Sequence, residues 1–549
     1  MQDRRDDPEH AFLFAHGELQ PGDAVVHFEH GLAAYDGTET LSVPDGEGGK
    51  IDQTMVRLQY RNGGKLMLPE HEMEHIWRYG APAENLTLDR LKTDDWTKHR
   101  DELVTELREA ARDLAAEHHR RRGRPAPKVE PDERMAAFEG DFPYEETAHQ
   151  RRAIAQVAED LASTVPMDRI VIGDVGFGKT EVALRAAAAV AFSGRQAVIA
   201  VPTTVLAHQH ADTFRKRLEP HGVTVVMLCG DADEDVVAAI ESGSADIVVA
   251  THAVVSREIA FADLALVVID EEQRFGTDLK RSLRDLANAN GGEKGVHVLA
   301  MTATPIPRTL AAAEVGLIDV SVVAEAPKDR LPIDTAVHAA EADAARAFME
   351  KALRRELERG GQAYVVCPRI EGIEGKDDAD GLVDWLESLD AKVAVAHGRL
   401  PTDEVEKAML GFMQGETDIL LATSIIEAGI DNPRANTMVV WNADRFGLAQ
   451  LHQLRGRIGR SNLPAYMTLL TQRDLKAEPD LARRLEAFRA MSELGAGFAV
   501  ARKDQELRGF GTLGGEDQSG QVSRLGIELY RHVLAEALRG ELQHLSKAA

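Results

Sequence analysis

The sequence has few cysteines and no long apolar run. Only Cys229 and Cys367 occur among 549 residues, and they fall in different predicted domains, so a structural disulfide is not expected and a reducing compartment fits. No apolar run approaches the length needed to cross a bilayer, and residues 1–7 are charged and lack the apolar core of a secretion signal. These absences predict a cytoplasmic protein without a membrane partner.

Positive charge is also scarce. Lys and Arg number 64 against 91 Asp and Glu, which gives a net charge of -27 at pH 7. Over the whole chain this charge argues against nucleic acid as a partner. The argument is weak, because phosphate binding depends on local basic surface and not on the total.

The chain is too long for a single core, and its pattern changes several times. Short strands with glycine-rich turns come first, then a long amphipathic helix, then strands alternating with helices in two series, each typical of a parallel sheet. The predicted segments are a disordered N-terminus at 1–18, an all-β barrel at 19–85, a linker with a long helix at 86–140, two α/β domains at 141–326 and 327–475, and a helical C-terminal region at 476–549.

A phosphate-binding motif lies at the start of the first α/β domain. An apolar strand at 169–172 leads into G-x-x-x-x-G-K-T at 173–180, which we call the phosphate loop, and a helical run follows. Glycines let backbone N–H groups curl around a phosphate, and the helix N-terminus favours an anion. The predicted ligands are Gly173, Gly176, Gly178 and Lys179, with Thr180 for Mg²⁺.

Two further strands of this domain end in polar residues. The apolar strand at 264–269 leads into Asp270 and Glu271, and the strand at 296–301 leads into Thr302 and Thr304. Nucleotide hydrolysis needs one carboxylate for Mg²⁺, a role that suits Asp270, and a second to orient the attacking water, a role that suits Glu271. The two threonines offer hydroxyls that link the nucleotide site to the rest of the molecule.

The second α/β domain has no phosphate loop, but it has a pair of arginines. Arg457 and Arg460 lie three residues apart, which predicts that they project together from one helical turn. Guanidinium groups supplied by a second domain act as arginine fingers, and such a finger changes hydrolysis about 10³–10⁵-fold. Hydrolysis would then depend on closure between the two domains.

Together these residues resemble the motifs of superfamily 2 nucleic-acid motors, which have two RecA-like domains. The resemblance implies that Gln150 reads adenine, that Phe142 lies near the base, and that ATP with Mg²⁺ is the substrate. Further residues that it assigns to nucleotide binding are Glu181, Gln273, Gly429 and Asp431. Residues that it assigns to DNA coupling are Thr203, Thr251, Thr302 and Thr304.

A closer resemblance is to the Mfd family of bacterial transcription-repair coupling factors. It is carried by residues 142–147, 173–183, 270–276 and 446–457. Residues 497–520 are similar to the translocation motif shared by Mfd and RecG proteins, which implies that Arg484, Arg508 and Gln518 couple hydrolysis to duplex stepping. Residues 22–31 resemble the family's RNA-polymerase-interacting domain, a Tudor-like barrel also found in CarD-type regulators, which implies binding to the polymerase β subunit.

Two modules of full-length coupling factors are not recognised in this sequence. They are an N-terminal UvrB-like module that recruits UvrA and a C-terminal domain that restrains the enzyme. The expectation is that this chain does not bind UvrA and that its ATPase is active without polymerase.

The predicted function is therefore an ATP-hydrolysing, double-stranded DNA translocase that docks on RNA polymerase and pushes or displaces it when stalled. One alternative is a RecG-like motor on branched DNA, although residues 19–80 look unlike the wedge domain of that family. Another is a non-hydrolysing polymerase regulator of CarD type, which intact Lys179, Glu271, Arg457 and Arg460 argue against. The translocation motif disfavours an RNA helicase.

Overall fold

The structure, a computed structural model, describes residues 19–44, 50–91, 95–230, 234–257, 259–276, 279–280, 282–283, 295–327, 330–368, 379–423, 426, 432–460, 463–490 and 525–548. The N-terminus predicted to be disordered lies outside these residues, as do the predicted site residues Gly429, Asp431, Arg508 and Gln518. No helix in the described part of the chain is long and apolar enough to span a membrane.

The described elements alternate between strands and helices for most of the chain. The strands are β1 (Asp23–His27), β2 (Gly31–Pro44), β3 (Lys50–Gln59), β4 (Lys65–Pro69), β5 (Ile76–Pro82), β6 (Asp168–Gly173), β7 (Gln196–Ala200), β8 (Val225–Leu228), β9 (Ile247–Ala250), β10 (Leu264–Ile269), β11 (His297–Thr302), β12 (Asp319–Val323), β13 (Ile333–Ala339), β14 (Gln362–Val366), β15 (Val393–Ala396), β16 (Ile419–Ala422), β17 (Ala435–Val440) and β18 (Ala465–Thr471). The helices are α1 (Asp95–Arg122), α2 (Arg134–Gly140), α3 (Ala148–Leu161), α4 (Lys179–Phe192), α5 (Thr204–Leu218), α6 (Glu234–Ser242), α7 (Ala253–Ser256), α8 (Pro307–Glu314), α9 (Ala342–Glu358), α10 (Ala379–Glu387), α11 (Thr402–Gln414), α12 (Leu448–Arg455), α13 (Pro479–Ala490) and α14 (Ile527–Ala548).

These elements form two compact units. The first unit contains the described residues within 1–123, 305–320 and 502–549, and the second contains those within 124–304 and 321–501. The six-segment division predicted from the sequence is finer than this, and it stays a prediction.

The N-terminal part of the first unit is a five-stranded antiparallel sheet with the order β4-β3-β2-β1-β5. Alternate residues of β3, such as Val56 and Leu58, are fully buried, as expected for a strand with one face on a core, whereas Ala24, Val25 and Val26 of β1 are all buried. Irregular register between Tyr35 and Thr38 bends β2 against β3. The prediction of an all-β N-terminal domain is confirmed.

His27 is the buried titratable residue of this sheet. Its side chain is 4% exposed, its Nδ1 accepts a hydrogen bond from the Glu29 amide at 3.1 Å, and its ring stacks on His30 at 4.6 Å. Burial, together with the charges of His30 and His75, lowers the pKa of His27 from 6.5 to about 4. Protonation would also place a proton on the nitrogen that accepts the Glu29 hydrogen bond.

Acid should therefore destabilise this sheet through His27. The unfolded chain binds a proton at His27 near pH 6.5 and the folded chain only near pH 4, so stability present above pH 6.5 is lost as the pH falls through this window. Between pH 7 and pH 5 we expect a loss of about 2 kcal/mol, seen as protection factors of the β1 amides against hydrogen exchange that are about 30-fold lower once the intrinsic pH dependence of exchange is removed. His27→Gln should remove this part of the pH dependence, whereas the exposed His71→Gln should not. An unchanged pH dependence in His27→Gln would contradict the assignment.

Helices α1, α8 and α14 complete the first unit. Trp96 near the start of α1 donates a hydrogen bond to the Phe28 carbonyl at 2.8 Å. Glu528 of α14 accepts from the backbone N–H of Arg78 on β5 at 2.9 Å, so the edge of the sheet is covered by a helix. Arg539 of α14 also pairs with Glu314 of α8 at 3.1 Å. The long helix and the C-terminal helix predicted from the sequence are both present.

The two α/β domains, called the first and second sheet domains below, both lie largely in the second unit. The first of them contains β6 to β12. Its sheet has seven strands in the order β12-β6-β11-β10-β7-β9-β8, and the register of the pairs from β6 to β8 is parallel. Residues on both faces are buried, with Ile199 and Met301 in one cluster and Val198 and Ile269 in another. Since β6, β11 and β10 are neighbours and parallel, the residues that follow these three strands meet at one edge of the sheet.

The second sheet domain has six parallel strands in the order β13-β18-β17-β14-β16-β15. Its main core packs the sheet residues Val365, Leu421 and Val439 against α9 and α10. Two sheets of this kind confirm the prediction of two RecA-like domains.

Several strands were not predicted from the sequence. Strands β5, β12 and β13 were missed. All three missed strands lie at the end of a sheet. Such edge strands are half covered and lack the continuous apolar run by which the inner strands were found.

Candidate active site

The phosphate loop connects β6 to the N-terminus of α4. Gly176 and Gly178 have φ of +78° and +82°, which is the left-handed region. A Cβ on Gly178 would overlap the Gln150 amide, and a Cβ on Gly176 would lie 2.6 Å from Nη1 of Arg330. Both glycines are therefore required by the backbone and by the space around the loop, as a cradle for phosphate demands.

Lys179 is the first residue of α4 and is 8% exposed. Its Nζ donates to the carbonyl of Gly173 at 2.8 Å and to that of Asp174 at 3.1 Å. Burial lowers the pKa of this ammonium, and the carboxylates of Glu271 and Asp270 act in the opposite direction. The cation is held within the phosphate loop and faces the acidic residues that follow β10.

Gln150 connects α3 to the phosphate loop. The Thr147 hydroxyl accepts from the Gln150 amide, and the Gln150 side-chain oxygen accepts from the Thr147 amide at 2.9 Å, which is a capping box. The side-chain nitrogen of Gln150 then donates to the Phe177 carbonyl at 2.8 Å. The cap fixes the side chain that the resemblance assigns to adenine.

Phe142 and Glu181 lie in one cluster with two arginines. The Arg185 and Arg217 guanidinium groups lie 5.4 and 5.3 Å from the Phe142 ring centroid. Glu181 accepts from Arg185 at 3.0 Å and from Arg217 at 3.2 Å. Both residues thus contact the same two arginines, and their roles in nucleotide binding stay predictions.

Asp270 and Glu271 follow β10 at the edge that bears the phosphate loop. Asp270 is buried and bonds to Nε2 of His210 on α5 at 2.8 Å, while its other oxygen accepts from the Glu271 amide at 2.9 Å. Burial alone would raise the pKa of Asp270, but His210 and Lys179 outweigh it and lower that pKa. The carboxylate therefore stays ionised, as an Mg²⁺ ligand must.

Glu271 has an unusual backbone for a non-glycine residue, with φ of +53°. Asn442 has φ of 52° at the matching place after β17, and both residues begin a short 3-10 turn that leads to Arg-Phe-Gly. The two sheet domains thus share one turn geometry. In the first domain this turn carries the carboxylate, and in the second it carries a neutral amide.

A chain of hydrogen bonds connects Glu271 to the end of β11. Gln273 donates to Glu271 at 2.6 Å, and the Thr302 hydroxyl donates to the Gln273 oxygen at 2.6 Å. The amide of Thr304 donates to the Thr302 hydroxyl at 3.0 Å. The structure therefore joins four residues that the sequence placed after two different strands.

The arginine pair of the second sheet domain reaches this edge. Arg457 is 3% exposed, and its Nη2 lies 3.9 Å from Oε1 of Glu271. Burial, together with the neighbouring Arg460, lowers the pKa of Arg457 to about 10, so the guanidinium stays charged at neutral pH. The helical turn predicted for the two arginines is wrong, because α12 ends at Arg455 and Gly459 has φ of +68°, but the two guanidinium groups are close enough for Arg460 to lower the pKa of Arg457.

His452 makes a second contact between the sheet domains, which sequence reasoning missed. Its Nδ1 accepts from Nη2 of Arg455 at 3.2 Å, so its Nε2 carries a proton and donates to Asp174 of the phosphate loop at 2.8 Å. Burial would raise the pKa of Asp174, but His452 and then Lys179 hold it well below its usual range. The available sequence signal for this contact was Asp174, an acidic residue inside a loop that binds anions.

His210 was also missed. Its signal was a polar residue among Ala207, Ala211 and Phe214, the buried face of α5. The side chain is 4% exposed and its described ion partner is Asp270.

Three of the predicted DNA-coupling residues, Thr203, Thr251 and Arg484, form hydrogen bonds with the backbone of a sheet domain. The Thr203 hydroxyl caps α5 by accepting from the Leu206 amide at 3.3 Å, and the amide of the buried Thr251 donates to the Leu228 carbonyl at 3.2 Å. Arg484 of α13 donates to the Asp444 carbonyl. Their contacts with DNA stay predictions.

The oxygen ligands at this edge fit Mg²⁺. The Asp270 carboxylate is ionised and Thr180 is the second residue of α4. Mg²⁺ is bound through one or two protein oxygens together with substrate phosphates and water, so this sparse set is sufficient.

Comparison with known proteins agrees with this arrangement. Residues 19–80 match the CarD-like/TRCF RID domain, residues 147–313 the DEAD/DEAH box helicase family, and residues 345–462 the helicase conserved C-terminal domain. The structure of RecG bound to a three-way DNA junction has a TM-score of 0.63 at 27% identity and covers 94% of this chain and 79% of that chain.

Two curated relatives illustrate the similarity in sequence. The transcription-repair-coupling factor of Bacillus subtilis (strain 168) is 38% identical over 95% of this chain and 43% of its own length. That of Escherichia coli (strain K12) is 39% identical over 95% of this chain and 44% of its own length. The resemblance predicted from the motifs is confirmed: the chain is similar to bacterial transcription-repair-coupling factors over 95% of its residues and spans less than half of their length.

Proposed function

We propose that the chain is an ATP-driven double-stranded DNA translocase that binds RNA polymerase and pushes or displaces it when stalled. The observation that carries the proposal is the position of Arg457. This guanidinium belongs to the second sheet domain, yet it lies 3.9 Å from the Glu271 carboxylate of the first. Such an arrangement makes the reaction depend on how the two sheet domains meet, which is what a motor requires.

Each residue at the edge has a distinct role in the proposed hydrolysis. The phosphate loop and Lys179 bind the phosphates, and Glu271 orients the attacking water and accepts its proton. Gln273 holds the Glu271 carboxylate in place through the 2.6 Å hydrogen bond. Arg457 stabilises the negative charge that develops on the transferred phosphoryl group, with Arg460 as the second finger.

Thr180 and Asp270 are the residues that would hold Mg²⁺, and the bound ion supplies neutralisation of the phosphate charge. His210 keeps Asp270 ionised and oriented through the 2.8 Å bond. Gln150 is the proposed adenine-recognising residue, and the support for this role is the resemblance together with its position beside the phosphate loop.

The N-terminal sheet is the proposed polymerase-binding surface, with the β subunit as its partner. Its support is the match of residues 19–80 to the CarD-like/TRCF RID domain. The proposal places the protein in the bacterial cytoplasm, where duplex DNA and polymerase are present.

The test is release of an RNA polymerase stalled by nucleotide omission on a duplex with free upstream DNA. We expect release with ATP and none with AMPPNP. Lys179→Ala, which removes a phosphate ligand from the loop, should bind polymerase and fail to release it. If the wild-type chain hydrolysed ATP and bound polymerase but never released it, the proposal would be wrong.

A RecG-like motor on branched DNA is the second candidate, since the RecG structure covers 94% of this chain. Regression of a synthetic fork, compared with translocation on linear duplex of equal length, separates the two. We expect activity on linear duplex without a requirement for a branch. Activity confined to the fork would favour the RecG-like reaction.

A further inference from the structure

Arg330 lies in the segment between the two sheet domains, after β12 and before β13. Its Nη1 donates a hydrogen bond to the carbonyl of Val175, in the middle of the phosphate loop, at 2.5 Å. Its guanidinium also lies close to Gly176, with Nη1 nearest, since a Cβ there would be 2.6 Å from Nη1, 3.1 Å from Cζ and 3.5 Å from Nη2. A cation from the connecting segment therefore covers a loop built to hold anions.

The position of Arg330 along the loop identifies which phosphates it faces. The ammonium of Lys179, which in such loops reaches the β- and γ-phosphates, lies on the carbonyls of Gly173 and Asp174. Arg330 lies on the next carbonyl, that of Val175. The two cations thus contact three consecutive carbonyls of the loop, so Arg330 lies beside the group that reaches the β- and γ-phosphates.

We propose that Arg330 is a nucleotide-contacting residue that binds the terminal phosphate and so reports the presence of ATP to the connection between the sheet domains. The inference rests on the proposed function. A phosphate oxygen carries charge and accepts a stronger hydrogen bond from a guanidinium than a backbone carbonyl does. The side chain therefore exchanges the Val175 carbonyl for the phosphate when ATP binds, and the connecting segment moves with it.

The experiment compares Arg330→Ala and Arg330→Gln by calorimetric titration with Mg-AMPPNP and Mg-ADP. Losing a charged hydrogen bond to phosphate should weaken AMPPNP binding about 10- to 100-fold and ADP binding much less. Glutamine can still donate to the Val175 carbonyl, so a merely structural role would leave Arg330→Gln like the wild type. The control is Arg354→Ala, which removes an exposed arginine of α9 paired with Glu350.

Equal weakening of both nucleotides, or wild-type behaviour of Arg330→Gln, would overturn the inference. The variant Lys179→Ala distinguishes an error in the role of Arg330 from an error in the proposed nucleotide site. If Lys179→Ala abolishes binding while the Arg330 variants keep the wild-type ratio of AMPPNP to ADP affinity, only the role of Arg330 is wrong. If Lys179→Ala binds both nucleotides normally, the nucleotide site itself is misplaced.

Discussion

Glu271→Gln is expected to lower duplex-stimulated ATP turnover about 10³-fold, because the carboxylate that orients and deprotonates the attacking water is lost. The glutamine has the same shape and can still accept the hydrogen bond from Gln273, so the turn after β10 should keep its form. Binding of Mg-AMPPNP should persist. The measurement is steady-state phosphate release, with calorimetry for nucleotide binding.

Glu272→Gln is the matched control for this prediction. Glu272 is the next residue, is also buried, and has Lys280 as an ion partner at 3.5 Å. Its substitution should change turnover far less than that of Glu271. If Glu271→Gln kept turnover within about tenfold of the wild type, the assignment of the water-orienting carboxylate would be wrong.

Arg457→Ala is expected to lower turnover about 10³-fold or more, since it removes the finger that the second sheet domain supplies. Arg457→Lys should remain strongly impaired, because an ammonium lacks the planar fork of the guanidinium. Phosphate release by both variants, alongside binding of Mg-ADP, measures the effect. Binding of Mg-ADP should persist, since Lys179 and the phosphate loop are unchanged.

An arginine elsewhere in the second sheet domain provides the comparison. Arg473 is largely exposed and pairs with Glu478 at 2.9 Å, so Arg473→Ala should leave turnover close to that of the wild type. Equal losses in Arg457→Ala and Arg473→Ala would mean that the second sheet domain acts through its stability and not through a finger.

The sequence predicted the functional residues that lie at the carboxyl ends of inner strands. The phosphate loop and Asp270 follow β6 and β10, Thr302 ends β11, and each of these strands contains an unbroken apolar run. Because parallel neighbours end at one edge, finding the strands was enough to predict that these residues meet. The hydrogen bonds from Thr302 through Gln273 to Glu271 show how closely they do.

The sequence was less informative about contacts between elements that are distant in the chain. His452 and Asp174 are far apart in sequence, and neither residue by itself indicates the other. The same holds for Arg330, which lies between β12 and β13 and yet contacts the phosphate loop. Such contacts depend on how the two sheet domains pack, and periodicity within one element carries no information about it.

Local backbone geometry was the other source of error. The spacing of Arg457 and Arg460 was interpreted as helical, but Gly456 and Gly459 follow the end of α12 and the backbone leaves the helix there. A Cβ on Gly456 would lie 2.7 Å from Cβ of Val175, so this glycine also permits the close approach to the phosphate loop. Two glycines within four residues were a signal against a continuous helix.

The most direct test of the motor is displacement of a third strand from a triplex on linear duplex DNA, compared between the wild-type chain and Arg457→Ala with ATP present. The account predicts that the wild type displaces the strand at a rate set by ATP concentration, and that Arg457→Ala binds the duplex and leaves the triplex intact. Displacement by Arg457→Ala at the wild-type rate would show that movement along DNA does not require the guanidinium that the second sheet domain places beside Glu271.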